Sequence, residues 1–315
     1  MKLKCKFLAI ISFLLASSVV AQEFEEIKPG NNPVNNQANK KPNNENEFEA
    51  DCSQDLEFDQ DADIVYHMKS GKPFSGVCRT YYEDGSMERE IHFQNGKEDG
   101  EGVTLYKPNA EGKQIIMVRT NHDMGVANGT WEYFYENGKR AWSQTFKEGL
   151  KDGNHAYYFE DGQPKREEQY KSDLKDGTCK EYYPGGKIKS EINYKQGLME
   201  GQYKAYYENG QISYEGKFIS GIEDGEIVTY FDKGIMSSQS FYKSGVPIGE
   251  WRTWFDDGKD RSIIHYENGK KNGECKDFYK DGQVKKIEKW VAGKRMDIEA
   301  YDEFGNKLDP DEIKD

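Results

Sequence analysis

The sequence predicts an all-β protein: an elongated array of about nine 24-residue β-hairpin repeats forming an antiparallel meander sheet. Three observations predict it. Gly76, Gly100, Gly129, Gly153, Gly177, Gly201, Gly225, Gly249 and Gly273 each open the same phrase, at steps of 24 residues except for one step of 29. A fixed period of that length marks stacked copies of one supersecondary unit, each leaning on its neighbours. The fifth and sixth residues after the opening Gly are aromatic in nearly every copy, as in Tyr182-Tyr183, Tyr206-Tyr207 and Phe278-Tyr279. An Asp-Gly or Asn-Gly pair then follows, as in Asp161-Gly162, Asn209-Gly210 and Asp281-Gly282. Such pairs between β-favouring runs signal a hairpin, and they predict two-residue type I′ turns with φ > 0 at both central positions.

Residues 1–21 read as a secretory signal peptide. Lys2, Lys4 and Lys6 precede an apolar run from Phe7 to Val20, and the small residue Ala21 sets the expected cleavage site. The run is shorter than the roughly 20 residues a spanning helix needs, so no transmembrane segment is expected in the mature chain. Residues 22–60 read as a disordered Asn/Pro-rich tether. Eight of the sixteen residues from Asn31 to Asn46 are asparagine, too little apolar surface to offset chain entropy. Residues 61–300 are the repeat array, entered through a degenerate strand expected over Asp63–Pro73. Residues 301–315 form a C-terminal cap and tail, with a fading last strand at Tyr301–Gly305. The five extra residues between Gly100 and Gly129 are expected mainly as a longer turn at Lys107–Gly112.

Counting the opening Gly as position 0, a two-residue turn pairs position 6 with 11, 4 with 13 and 2 with 15, all on one face. In the unit opened by Gly201 that face carries Tyr203, Tyr207, Ile212, Tyr214 and Phe218. The opposite face is mostly polar but keeps one aromatic, at position 5. Copies lie two strands apart, so Tyr158, Tyr182, Tyr206, Tyr230, Trp254 and Phe278 are expected to form a ladder with steps of roughly 9–10 Å. This row is the candidate binding surface. Packing of the same row inward, if the sheet coils, is the competing expectation.

The phrase Gly-x-aromatic-x-x-Tyr-Tyr-x-Asp/Asn-Gly, seen in Gly129-Thr-Trp-Glu-Tyr-Phe-Tyr-Glu-Asn-Gly138 and Gly201-Gln-Tyr-Lys-Ala-Tyr-Tyr-Glu-Asn-Gly210, resembles the MORN-repeat variant of the bacterial YwqK-like proteins. The resemblance covers about Gly71 to Gly293. It implies β-hairpin arrays, protein-binding or lipid-associated scaffolding, and for some members an antitoxin or immunity role.

Chemistry-bearing residues mostly follow the period. His92 and His265 share position 16, and His155 stands where Trp131 and Tyr203 stand in their units. No His-Glu-x-x-His or Cys-x-x-Cys occurs, so no metal site is expected. Gly-Lys pairs such as Gly138-Lys139 lack the earlier Gly of a phosphate loop, and Glu101, Glu226, Glu250 and Glu274 form a row rather than a paired acid and base. No catalytic residue and no cofactor are expected. Cys78, Cys179 and Cys275 all fall at position 2 and read as small buried hydrophobes. Cys179 and Cys275 are four units apart, too far to pair; only Cys52 and Cys78 are placed to form a disulfide, should the compartment be oxidising.

The full chain carries a net charge of −13, and loss of three lysines with residues 1–21 moves it to −16. Such a chain lacks the phosphate-neutralising charge that nucleic-acid binding needs. The expectation is an exported, non-enzymatic bacterial scaffold, periplasmic, outer-surface or secreted, that binds a protein or cell-envelope component. A glycan-binding module and an antitoxin are the alternatives.

Overall fold

The computed structural model describes residues 49–309. The expected signal peptide, most of the expected tether and the end of the tail lie outside them. The chain divides into two compact units, one ending at Gly138 and one beginning at Lys139. Each is a β-meander, and among the described residues there is no helix, hence none long and apolar enough to cross a membrane.

The first unit holds β1 (Glu49–Asp51), β2 (Leu56–Asp59), β3 (Ile64–His67), β4 (Gly76–Tyr81), β5 (Met87–Gln94), β6 (Lys97–Leu105), β7 (Ile116–Asp123), β8 (Val126–Ala127) and β9 (Gly129–Phe134). Neighbours from β4 onward pair antiparallel, with β8 and β9 both on β7. Two expectations need correction. The tether was expected to reach residue 60, yet β1 and β2 lie inside it, and β1 pairs parallel with β4 through Ala50↔Cys78. Asp63–Pro73 is not an incoming strand of the array: β3 pairs with β2 in a separate two-stranded sheet. The reason is local burial. Ala50, Leu56, Phe74 and Cys78 form a small core, with Cys52, Val65 and Phe93 packed on it. Acidic residues around them hid those few apolar positions in the composition. The long turn between β6 and β7 is closed by Tyr106 N–H donating to Ile115 O at 2.8 Å.

The second unit holds β10 (Arg140–Lys147), β11 (Leu150–Tyr158), β12 (Pro164–Lys171), β13 (Leu174–Lys175), β14 (Gly177–Tyr182), β15 (Ile188–Lys195), β16 (Leu198–Tyr206), β17 (Ile212–Ile219), β18 (Ile222–Tyr230) and β19 (Met236–Lys243). It continues through β20 (Val246–Trp254), β21 (Asp260–Glu267), β22 (Lys270–Lys271), β23 (Gly273–Phe278), β24 (Val284–Val291) and β25 (Lys294–Ala300). These strands pair antiparallel in chain order, and β12 and β21 reach past the short β13 and β22 to pair with β14 and β23 as well. Tyr301–Gly305 forms a closing turn bridged by Tyr301↔Lys307.

The register holds in its inner part. Tyr203↔Gly216 is position 2 with 15, and Ala205↔Tyr214 is 4 with 13. It then shifts, because Tyr206, position 5, meets Ile212, position 11. Glu181/Tyr182, Thr229/Tyr230 and Asp277/Phe278 shift in the same way. The turn chemistry explains the slip. Gly210 N–H donates to Tyr207 O, Tyr207 N–H to Gln211 O, and of the turn residues only Gly210 takes positive φ, at 90°. That is a type I turn closed by a left-handed glycine bulge, not the expected type I′. Asn209 serves differently: its Oδ1 accepts from Gln211 N–H at 2.9 Å, as Asp161 and Asp281 do for Gln163 and Gln283. The type I′ geometry falls in the other turn, between units. There Gln196-Gly197 and Asn268-Gly269 both have paired positive φ values, 51° and 81°, and 50° and 78°.

Candidate interaction surface

The aromatic at position 5 is set where the bulge closes each hairpin. Tyr158, Tyr182, Tyr206, Tyr230, Trp254 and Phe278 all keep intermediate exposure; none is buried outright. Two of them are tied by charge-assisted hydrogen bonds. Tyr182 Oη–H donates to Glu167 Oε2 and Tyr230 Oη–H to Glu215 Oε1, each at 2.6 Å, each carboxylate 15 residues before its tyrosine. The Tyr230 hydroxyl is pushed up to about 12, first by that bond and then by burial; Tyr182 also reaches about 12, with burial leading. Both phenols therefore stay protonated donors at neutral pH. Between them, Glu191 lies 15 residues before Tyr206 but takes Lys180 Nζ at 3.3 Å. Arg140 stands over the Tyr158 ring, 5.8 Å from its centroid.

The neighbouring tyrosine at position 6 fastens the backbone of this row. Tyr183 Oη–H donates to Tyr206 O at 2.8 Å, and Tyr207 Oη–H to Tyr230 O at 2.6 Å. Tyr82 to Leu105 O and Tyr279 to Tyr301 O repeat the pattern. Phe159, Phe231 and Phe255 occupy position 6 elsewhere and have no hydroxyl to give. These bonds hold the backbone of the row at Tyr206 and Tyr230.

The opposite face, expected to carry nearly all the apolar residues, also holds buried acids. Position 15 holds Ile91 and Ile192 in two units but Glu168 and Glu288 in two others, all buried. The Glu168 side chain is 1% exposed and is met by Lys175 Nζ at 2.7 Å, Arg166 Nε at 3.5 Å and His155 Nδ1 at 3.6 Å. Tyr170 Oη–H donates to it at 3.2 Å, and Cys179 Sγ lies 3.8 Å away. Burial alone would raise this carboxyl; the Lys175 hydrogen bond and the charges of Arg166, Lys175 and His155 outweigh it and hold it below its ordinary value. Arg166 covers the Tyr157 ring at 4.5 Å and Lys175 the Tyr194 ring at 5.2 Å, so long basic side chains roof the carboxylate. Glu288 repeats the plan with Arg295 at 3.3 Å, Lys286 at 3.6 Å and Trp290 Nε1 at 3.1 Å. Sequence reasoning missed both centres. The available signal was an acid at an apolar repeat position with bases at nearby positions of the same face.

The structure joins Cys52 to Cys78, with Cα atoms 5.2 Å apart. Cys179 and Cys275 are free and buried, and burial pushes the Cys179 thiol up to about 11. His92 Nδ1 meets Glu101 O at 2.6 Å and His265 Nδ1 meets Glu274 O at 2.7 Å, the same contact in two units. Among the described residues no three His, Cys, Asp or Glu side chains gather as metal ligands. Asp152, Asn154, Gln169, Tyr170, Lys171 and Asp176 line an open groove with a volume of about 370 Å³.

The repeats match the MORN repeat variant at residues 74–95, 127–147, 151–172, 175–196, 199–219 and 271–291. The copies opened by Gly100, Gly225 and Gly249 fall outside those matches, although β6 with β7, β18 with β19 and β20 with β21 also pair as antiparallel hairpins. No curated protein matches the chain at a significant level. Two solved structures are similar to it, "Crystal Structure of TcdB2-TccC3-TEV" at 12% identity and TM-score 0.14, and "Crystal Structure of TcdB2-TccC3" at 11% identity and TM-score 0.13. They cover 73% and 70% of this chain, which spans 15% and 16% of theirs. The recurrent hairpins and the six matched copies place this chain in the MORN repeat-variant family.

Proposed function

We propose that the chain is an exported, non-catalytic repeat scaffold that binds a protein or cell-envelope partner through its sheet surface. The observation that carries this reading is the half-exposed aromatic row of the second unit, fixed by hydroxyl–carboxylate and hydroxyl–carbonyl hydrogen bonds. Aromatic side chains held in one rotamer lose little entropy on binding and bring large contact areas, which is why they dominate recognition surfaces. Membership of a family whose repeats serve as scaffolds supports it. The signal-like N-terminus and a Cys52–Cys78 bond support export, since disulfides persist in oxidising compartments. A mature charge of −16 favours neutral or basic partners over anionic lipid.

The test is affinity capture from envelope fractions with the chain from Gln22 onward, beside a Tyr206→Ala/Tyr230→Ala variant of equal melting temperature. A partner retained by the first and lost by the second is expected. Equal recovery by both, or nothing above background, counts against the reading.

A further inference from the structure

The partner's chemistry can be narrowed, on the premise that the aromatic row is the binding surface. We infer that the segment of the row from Tyr182 through Tyr206 to Tyr230 is a binding site for a single extended chain of an uncharged β-1,4-linked polysaccharide.

The first argument is spacing. Tyr182, Tyr206 and Tyr230 sit at the same position of consecutive hairpins, two strands apart, which sets a step of roughly 9.5 Å. In an extended β-1,4-linked hexopyranose chain every second sugar turns the same face outward, so one disaccharide spans a closely similar step. Three rings can therefore stack on three alternate sugars in one register, each on the apolar C–H face that a pyranose offers to an aromatic ring.

Polar groups beside the rings supply the second argument. Glu167 and Glu215 accept the Tyr182 and Tyr230 hydroxyls at 2.6 Å through one oxygen each, leaving the other carboxylate oxygen to accept a sugar hydroxyl. Lys180, beside Glu191 at 3.3 Å, adds a donor at the middle step. Alternating donors and acceptors along a ring platform suit a polyol.

Charge and twist restrict the choice further. Glu167, Glu191 and Glu215 alternate across the strands with Lys180 and Lys204, so the surface has no excess of positive charge to hold a uronic-acid or sulfated polymer, and the chain as a whole is strongly acidic. Adjacent strands rotate by about 20–25°, so rings two strands apart cannot be coplanar. A flat crystalline polysaccharide surface would touch one ring at a time, whereas a free chain can follow the turn.

The experiment is native affinity electrophoresis of the chain from Gln22 onward. Gels contain a soluble β-1,4-glucan derivative, a soluble xylan, pullulan as an α-linked control, or polygalacturonate as a polyanion. Retardation is expected in the β-1,4-linked neutral gels alone, with weak retention on microcrystalline cellulose. Replacing Tyr206 by Ala should weaken binding about fivefold, and the Tyr206→Ala/Tyr230→Ala pair by more than tenfold, with the melting temperature unchanged. Should those variants fail to fold, Tyr230→Phe and Glu215→Gln keep the ring and delete the polar group; each should weaken binding about threefold. Unaltered mobility in every neutral gel, equal retardation by polygalacturonate, or binding indifferent to all four substitutions overturns the inference. If the chain ignores glycans yet captures an envelope protein in a Tyr206- and Tyr230-dependent way, the glycan falls and the scaffold reading stands. If it does neither, both fall.

Discussion

At Glu168 a carboxylate with 1% side-chain exposure survives because three basic groups and a phenol converge on it. Replacing it with Gln leaves Lys175 and Arg166 beside an uncharged amide. Both are about one-third exposed and can regain water, so the expected loss is about 3 kcal/mol, the low end for stripping one partner from a buried pair. Urea denaturation at pH 7 measures it. The same carboxyl carries a pH dependence. Its folded value lies below the ordinary 4.5, so its stabilisation is complete above that value and disappears as pH falls through the folded value. The gap between wild type and Glu168→Gln should therefore narrow as the pH is taken below the ordinary carboxyl value of 4.5, and a gap that stays constant would contradict the ion-pair account. Cys179, beside this centre, should resist alkylation at pH 8, because burial both shields the thiol and pushes it up to about 11.

At the scale of the hairpin, two turns do different work. The bulged turn within each unit needs one left-handed glycine, and an added Cβ at Gly210 meets nothing within 4 Å. Gly210→Ala should cost only backbone strain, about 1 kcal/mol. Gly96 is different. It donates to Phe74 O at 2.7 Å and accepts from Val65 N–H at 2.8 Å, and an added Cβ would lie 2.7 Å from Val65 O and clash with Ile64 Cγ2. Gly96→Ala should cost at least twice as much, read as the shift in urea midpoint; equal costs would show that the β2–β3 hairpin does not press on this turn. The type I′ turns are also joined to one another. Gly197 N–H donates to Lys175 O and Gly221 N–H to Met199 O, both at 2.8 Å, while Asp176 and Glu200 accept from Gln196 and Ser220 N–H. Part of the acidic charge thus caps turns. Tyr207→Phe removes the bond to Tyr230 O and should cost about 1 kcal/mol without changing the fold.

At the scale of the whole chain, the N-terminal edge of the first unit is closed by β1, and Cys52–Cys78 fastens that strand across 26 residues. Removing the bond with Cys52→Ala/Cys78→Ala should destabilise the first unit by about 3 kcal/mol on loop-entropy grounds. Because repeat units respond to their neighbours, the loss should appear as earlier unfolding of the first unit rather than one uniform shift. Thiol titration of the chain from Gln22 onward should find two reactive groups after denaturation, Cys179 and Cys275, and four only if the bond is absent. A polypeptide secreted by its natural host and beginning at Gln22 by mass would support export; one retaining residues 1–21 would oppose it.

The repeat, the hairpin and the inner register could be read from the residues alone. Those depend on local events: a glycine where the chain must turn, aromatics before it, and alternation on a pleated strand. Position 2 pairs with 15 and 4 with 13 as that alternation requires. The sequence also marked where each turn falls but not its type. Asn209-Gly210 and Gln196-Gly197 differ in which residues take positive φ, and the hydrogen bonds around each turn settle that. The row Tyr158 to Phe278 was legible as a row, whereas its exposure depends on what lies beside each ring, such as Glu167 next to Tyr182. That β1 caps β4 in parallel and that Glu168 is buried became visible in the fold alone. Both rest on residues far apart along the chain meeting in space, and a carboxylate at an apolar position is tolerable only once Lys175, Arg166 and His155 have been brought to it.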